Sequence, residues 1–323
     1  MKFWLKKSIV LGAGLSLILS GCGNQAKEAV SPNVKLKVVT TFYPMYEFSK
    51  QVAGDHADVI ALIPSGAEPH DWEPSAKDMA TIKDADVFVY NGIVEGWVDR
   101  ALSSAANEKR VVVEASKSIS LMEGEEHDHE HGEEEHDGEE EEHAHEEEIH
   151  MDPHVWLDPV LAEQEVRAIQ AAFEKADPAS KEDYQNNADS YIAKLKELDL
   201  AFKEGLSNTK HKEFVTQHAA FGYLAKQYGL TQVPISGLSP EQEPSPDEMA
   251  EVVEFAKGHQ VKTIFFETLV EPKVAQVVAD EIGAATAVLN PLEGLTDNEI
   301  KNDLDYIGIM RNNLEALKKA LNE

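Results

Sequence analysis

The sequence predicts an α/β protein made of two similar lobes, each a parallel-type sheet with flanking helices, joined by one long rigid helix with a cleft between the lobes. Short β-branched runs alternate with helix-length stretches on both sides of the chain's middle, as expected of strands covered on both faces by crossover helices. Between the two series lies a stretch of unbroken helical periodicity. The chain has 323 residues, 42% of them hydrophobic, which is enough apolar material for substantial cores and excludes a disordered or fibrous class.

In the first series the strands read Leu36–Thr40, Asp58–Ile63, Asp86–Tyr90 and Arg110–Val113, with helices fitting 43–53, 75–83 and 95–107. In the second they read Glu213–Gln217, Gln232–Ile235, Thr263–Phe266 and Ala285–Leu289, with helices at 219–228, 246–258, 272–282 and 297–319. From Pro178 to Leu206 no further proline interrupts the chain, and Tyr184, Ala188, Tyr191, Leu195, Leu198 and Phe202 recur at three- and four-residue spacing. A single helix of about seven turns follows, a stiff connection rather than a flexible hinge. The expected division is therefore a first lobe at 35–177, a linking helix at 178–206 and a second lobe at 207–323.

The N-terminus opens with Lys2, Lys6 and Lys7 before an apolar run from Ile9 to Leu19, the length of a signal-peptide core and short for a membrane span. It ends in Leu19-Ser-Gly-Cys22, which resembles a bacterial lipobox and makes Cys22, the only cysteine, the expected lipidation site after cleavage of residues 1–21. Residues 22–34 are polar and unpatterned, as a tether between a lipid and a folded body should be. The folded body is thus expected outside the cytoplasmic membrane, anchored by lipid. One cysteine also means that any metal must be held by histidine and carboxylate.

Acidic residues number 60 against 29 basic, a formal charge of −31 that repels phosphate backbones and excludes a nucleic-acid partner. About half of that charge lies in Glu123–His150, where sixteen acidic residues and seven histidines occur without one Lys or Arg. Such a stretch cannot bury apolar surface and is expected to be an unfolded insertion. Its His127, His129, His131, His136, His143, His145 and His150 suit loose, auxiliary binding of zinc or other borderline metals.

Three other histidines each lie in turn-rich sequence near the end of an expected strand: His70 in Pro64-Ser-Gly-Ala-Glu-Pro-His-Asp-Trp-Glu-Pro74, His154 in Asp152-Pro-His-Val-Trp-Leu-Asp-Pro159, and His218 in Thr216-Gln-His-Ala-Ala-Phe-Gly-Tyr223. Open α/β sheets bind ligands beyond the carboxyl ends of their strands, so these loops can converge in the cleft. Two carboxylates compete for a fourth place, Glu293 in Leu289-Asn-Pro-Leu-Glu-Gly294 and Glu267 at the end of Ile264-Phe-Phe-Glu. Three imidazoles and one carboxylate satisfy tetrahedral zinc, whereas more carboxylate shifts preference toward manganese. Asp71, Glu73, Asp152 and Asp158 are candidates to accept the second ring N–H of a ligand and fix its tautomer. No Gly-rich phosphate loop, Gly-x-Ser-x-Gly elbow or His-Glu-x-x-His helix is present.

Taken in order, Phe42-Tyr-Pro, Glu68-Pro-His-Asp-Trp-Glu-Pro74, the charged insert, Asp152-Pro-His-Val-Trp-Leu-Asp158, the long helix, His218-Ala-Ala-Phe-Gly-Tyr223 and Phe266-Glu267 resemble the cluster A-I metal-binding solute-binding lipoproteins of bacterial ABC transporters, in their zinc-uptake branch. The resemblance implies two lobes on one rigid helix, with His70 and His154 as the first-lobe ligands and His218 as the first ligand of the second lobe. At the fourth place manganese-binding members carry an aspartate after the last strand, where this chain has Asn290; the Asn-Pro-Leu-Glu pattern of zinc-binding members implies Glu293. The resemblance further implies a lipid-anchored, monomeric receptor that makes and breaks no bond and delivers Zn²⁺ to a membrane permease driven by a cytoplasmic ATPase. A manganese receptor of the same class is the alternative. A secreted zinc metalloenzyme, with Glu267 as its base, is a more distant one.

Overall fold

The computed structural model describes residues 35–124 and 151–323. The leader, Cys22, the tether and the seven histidines of the insert lie outside the described residues. Among the described residues, eight strands form two four-stranded sheets. The first contains β1 (Leu36–Thr40), β2 (Ala57–Ala61), β3 (Val87–Tyr90) and β4 (Val111–Glu114), and the second β5 (Glu213–Thr216), β6 (Thr231–Pro234), β7 (Thr263–Phe266) and β8 (Ala285–Val288). All pairs are parallel, in the orders β2-β1-β3-β4 and β6-β5-β7-β8. The two lobes therefore repeat one topology. Val38 of β1 pairs with Val59 and Val87, as Val215 of β5 pairs with Val233 and Ile264. In both lobes the strand order reverses beside the first strand, which opens a crevice at the carboxyl ends.

Helices α1 (Tyr43–Ala53), α2 (Ala76–Lys83), α3 (Val98–Ser104) and α4 (Pro159–Ala176) belong to the first lobe, and α6 (Gly222–Tyr228), α7 (Pro246–Gly258), α8 (Lys273–Ile282), α9 (Asp297–Lys301) and α10 (Tyr306–Ala320) to the second. Between them α5 (Lys181–Leu206) runs 26 residues, about 39 Å at the helical rise. Its buried stripe, Tyr184 through Ala188, Tyr191, Leu195, Leu198, Phe202 and Leu206, packs on α1 and α4 at one end and α10 at the other. Asn187 donates to the carbonyl of Val52 at 3.1 Å, and His56 meets Asp183 at 2.9 Å, pinning α5 to the turn after α1. One hydrophobic core takes in residues of both lobes and α5, among them Phe48, Trp156, Tyr191, Phe214 and Tyr306. The described residues, 35–124 and 151–323, consequently form a single compact unit.

Two elements differ from the expectation. The sequence reading assigns no helix to 159–176, where the structure has α4, started by Asp158 accepting from Val160 N at 2.8 Å with Pro159 in the first turn. The helix expected at 297–319 is two. Thr296 and Glu299 close a capping box for α9, Asp303 turns the chain at φ 51°, and Asp305 caps α10 by accepting from Gly308 N at 2.8 Å. Two competing N-caps within ten residues end the first helix before the second begins.

The inward face of α4 buries Glu165 completely. Asn91 donates to its Oε1 at 3.2 Å, while Glu165 Oε2 and Asn91 Oδ1 have no partner. Burial pushes this carboxyl up to about 8, opposed by the Asn91 bond and assisted by the charge of Glu95. The folded chain therefore keeps a proton that the unfolded chain releases near 4.5, and stability falls as pH rises through the interval between those values. Glu165→Gln removes that dependence: in thermal melts of the metal-free protein, the variant's midpoint relative to the parent should rise by a few degrees between pH 5 and pH 8.5. A constant difference across that range would refute the buried protonated carboxyl.

Candidate metal centre

Four loops at the carboxyl ends of the strands bring one side chain each to a common point. His70 comes from the segment between β2 and α2, His154 from that between β4 and α4, His218 from the turn after β5 and Glu293 from the segment after β8. Their donor atoms all lie within 4.8 Å of one another, and among the described residues no other group of three or more His, Cys, Asp or Glu does so. Glu293 Oε1 stands 3.2 Å from His70 Nε2, 3.4 Å from His154 Nε2 and 3.4 Å from His218 Nε2, and the last two nitrogens are 3.4 Å apart. Bonds of about 2.0–2.1 Å at the tetrahedral angle put neighbouring donors of a zinc ion roughly 3.3–3.4 Å apart. The spacing already matches that requirement on four of the six edges.

Each ligand is held from behind. Asp152 Oδ1 accepts from the backbone N of His154 at 2.9 Å and from its Nδ1 at 2.8 Å, leaving the Nε2 lone pair aimed at the centre. Glu267 does the same in the second lobe, accepting from His218 N at 3.1 Å and making a short contact with His218 Nδ1. The two carboxylates that compete in sequence are thereby separated. Glu293 is in the cluster and Glu267 is behind it. Asn290 folds the Glu293 loop: its Oδ1 accepts from Leu292 N at 2.7 Å, its backbone exchanges two bonds with Asn313, and its amide donates to Glu299 at 2.6 Å. Leu292 is driven to φ 61°, a conformation a branched side chain adopts only when its surroundings impose it. Trp156 then crosses the lobes, donating from Nε1 to Pro291 O at 2.8 Å, while its own carbonyl accepts from Tyr306 at 2.6 Å. His154 and Glu293 are fixed against each other through this ring.

Glu68 is a participant absent from the sequence reading. Its Oε1 accepts from His70 N at 2.9 Å, and its Oε2 is buried without a partner, as is Oε2 of Glu293. Asp152-Pro153-His154 repeats the pattern Glu68-Pro69-His70, and in both the acid accepts the histidine's backbone N–H; that repeat was the signal available in sequence. Three of the expected supporting acids lie elsewhere. The turn closed by Trp72 N to Pro69 O at 3.3 Å leaves Asp71 exposed, while Glu73 pairs at the surface with Arg100 at 2.8 Å. Asp158 is spent on capping α4, and burial pushes it up to about 6.

Burial alone would raise Glu293, but the charge of His218 and contacts from all three imidazoles outweigh it and hold the carboxylate well below its usual range. Burial likewise opposes charge on His154 and His218, yet Asp152, Glu267 and Glu293 prevail and both imidazoles are raised. Burial pushes Glu68 up to about 9, with the charge of Glu293 adding to it.

A family model described as zinc-uptake complex component A, periplasmic, matches residues 38–320. The chain is 54% identical over 312 residues to the high-affinity zinc uptake system protein ZnuA of Bacillus subtilis, covering 96% of this chain and 95% of that protein. It is 47% identical to the zinc-binding lipoprotein AdcA of Streptococcus pneumoniae, covering 98% of this chain but 61% of that longer relative. The crystal structure of the Zn(II)-bound ZnuA-like domain of the same AdcA superposes with a TM-score of 0.74 at 44% identity, covering 90% of this chain and all of that one.

If Asp152 and Glu267 orient the imidazoles as the bonds indicate, Asp152→Asn and Glu267→Gln should each weaken Zn²⁺ binding by about 10–100-fold in a chelator competition. Asp71→Asn should leave it unchanged; an effect of comparable size there would contradict the placement of Asp71 at the surface.

Proposed function

The chain belongs to the zinc-uptake complex component A family, and on that premise we propose that it is a high-affinity extracytoplasmic receptor that captures Zn²⁺ and hands it to an ABC-type permease. The observation that carries this is the cluster of Nε2 and Oε1 atoms from His70, His154, His218 and Glu293, all within 4.8 Å of one another and with four of their six separations at 3.2–3.4 Å. Three neutral nitrogens and one carboxylate favour zinc over manganese, which prefers oxygen donors. Four protein ligands close a tetrahedral shell. A hydrolytic site needs an open position and a free base, and Glu267, the base such a site would use, is committed to His218. Capture and release without bond making is the reading these features support.

The same reading assigns Cys22 to a lipid anchor on the outer face of the cell membrane and the body to a monomer beneath which the permease and its cytoplasmic ATPase operate. The leader and the lipobox-like Leu19-Ser-Gly-Cys22 support that placement. The histidines of the acidic insert are assigned to auxiliary, weaker sites on their sequence, imidazoles spaced among carboxylates.

A competitive titration of residues 23–323 with Zn²⁺ and Mn²⁺ against a chelator of known affinity tests the reading. One tight zinc per chain, lost in His218→Ala and Glu293→Ala, with manganese far weaker, is the expected result. Comparable manganese binding would shift the assignment to a manganese receptor. The pH dependence follows from the raised imidazoles. Zinc needs both His154 and His218 neutral, and both hold protons above the ordinary range of 6.5, so affinity should fall as pH drops and begin falling above 6.5. Calorimetry in buffers of different ionisation enthalpy should show protons released on binding at pH 7; zinc uptake without proton release would contradict it.

A further inference from the structure

The four-ligand centre is almost sealed. His154 and His218 side chains are 0% exposed and Glu293 1%, whereas His70 is 11% and Glu68 13% exposed. The outer face of the site is therefore the Glu68–His70 side. The rim there is made by two loops in near contact: a Cβ placed on Gly294, next to Glu293, would meet Ala67 O at 3.5 Å and Gly66 N at 3.9 Å. An ion that enters or leaves on this less buried side passes Glu68. A hydrated dication crossing such a rim must exchange waters for protein donors one at a time, because a bare charge in a low-dielectric passage is very costly. Glu68 has a group suited to that step. Its Oε1 is held by the backbone N of His70 at 2.9 Å and lies 4.0 Å from His70 Nε2, while its Oε2 has no partner.

Taking the zinc-receptor reading as given, we infer that Glu68 is the exchange ligand of the centre: it binds the ion transiently during entry and exit and leaves the resident four-ligand shell to hold it. On entry the Glu68 carboxyl gives up its proton to water and one of its oxygens replaces one water on the arriving Zn²⁺. The ion then moves onto His70, Glu293 and the two deeper imidazoles, and Glu68 lets go and takes a proton back. Release retraces the steps, with Glu68 taking the place of the first ligand to leave. An interaction made only in passage lowers the barrier in both directions and leaves the equilibrium unchanged.

Glu68→Gln isolates the effect, because the amide oxygen still accepts from His70 N and keeps the loop in place while the free oxygen becomes an NH₂ that cannot bind metal. Stopped-flow mixing of the mature chain with Zn²⁺, and of the zinc-loaded chain with excess chelator, gives the two rates. Glu68→Gln should slow both by about tenfold, with a dissociation constant within roughly twofold of the parent and an unchanged melting midpoint. Glu68→Asp, which keeps a carboxylate, should restore most of both rates. Unchanged rates in Glu68→Gln would overturn the inference, as would faster release with weakened affinity, the signature of a resident or merely positioning residue. Failure of the parent chain to bind zinc tightly would instead overturn the receptor reading on which this one rests.

Discussion

A divalent ion can be held out of water only if its donors are already in place, since each buried donor left unpaired is costly and chain ordered on binding subtracts from affinity. Here that constraint means fixing four atoms from two lobes within 4.8 Å of one another, with four of their six separations at 3.2–3.4 Å. The remaining architecture serves this. Parallel sheets aim all eight strand ends at the cleft. Continuous packing through α5 and α10 prevents the lobes from drifting, so the Trp156 to Pro291 bond can register His154 against Glu293. A hinge of loose crossovers would instead require the ion to fund closure.

The electrostatics obey the same constraint. Three carboxylates, Asp152, Glu267 and Glu293, surround three imidazoles in a nearly dry volume. Without metal, that excess of negative charge draws protons onto His154 and His218, the two imidazoles that are raised. Protons and Zn²⁺ compete for the same imidazole nitrogens, so positive charge that the carboxylates attract in the ion's absence is displaced when the ion binds.

Much of this was legible in sequence because it depends on local rules. Strands buried on both faces read as runs of Val, Ile and Phe, and β1, α1 and β7 follow the reading residue for residue. His70 and His218 stand out because turn chemistry follows a strand, and His154 because Asp152-Pro153-His154 repeats the pattern of Glu68-Pro69-His70. The choice between Glu293 and Glu267 was not legible from local pattern alone, since both follow a second-lobe strand; it depends on the turn at Asn290 and Leu292 that carries Glu293 into the cluster. Helix α4 had a signal, Asp158-Pro159 followed by Ala162, Val166, Ile169 and Phe173, that lay beside a motif whose acid invited a metal-site role. Asp71 could not be separated from Glu68 by composition. The direction of one turn decides which of them faces the centre.

The two acid-Pro-His segments show how little sequence change divides these roles. In each, the acid accepts the histidine's backbone N–H at 2.9 Å. The shorter Asp152 stays behind His154, where the same oxygen also accepts from Nδ1 at 2.8 Å, and it becomes a support. Glu68 has one more methylene. That extra reach brings Oε1 within 4.0 Å of the metal-facing Nε2 of His70, on the less deeply buried side of the centre, and leaves the second oxygen buried without a partner. A buried support and a group at the rim thus arise from one local device, differing by a single carbon and by which of the two histidines meets solvent.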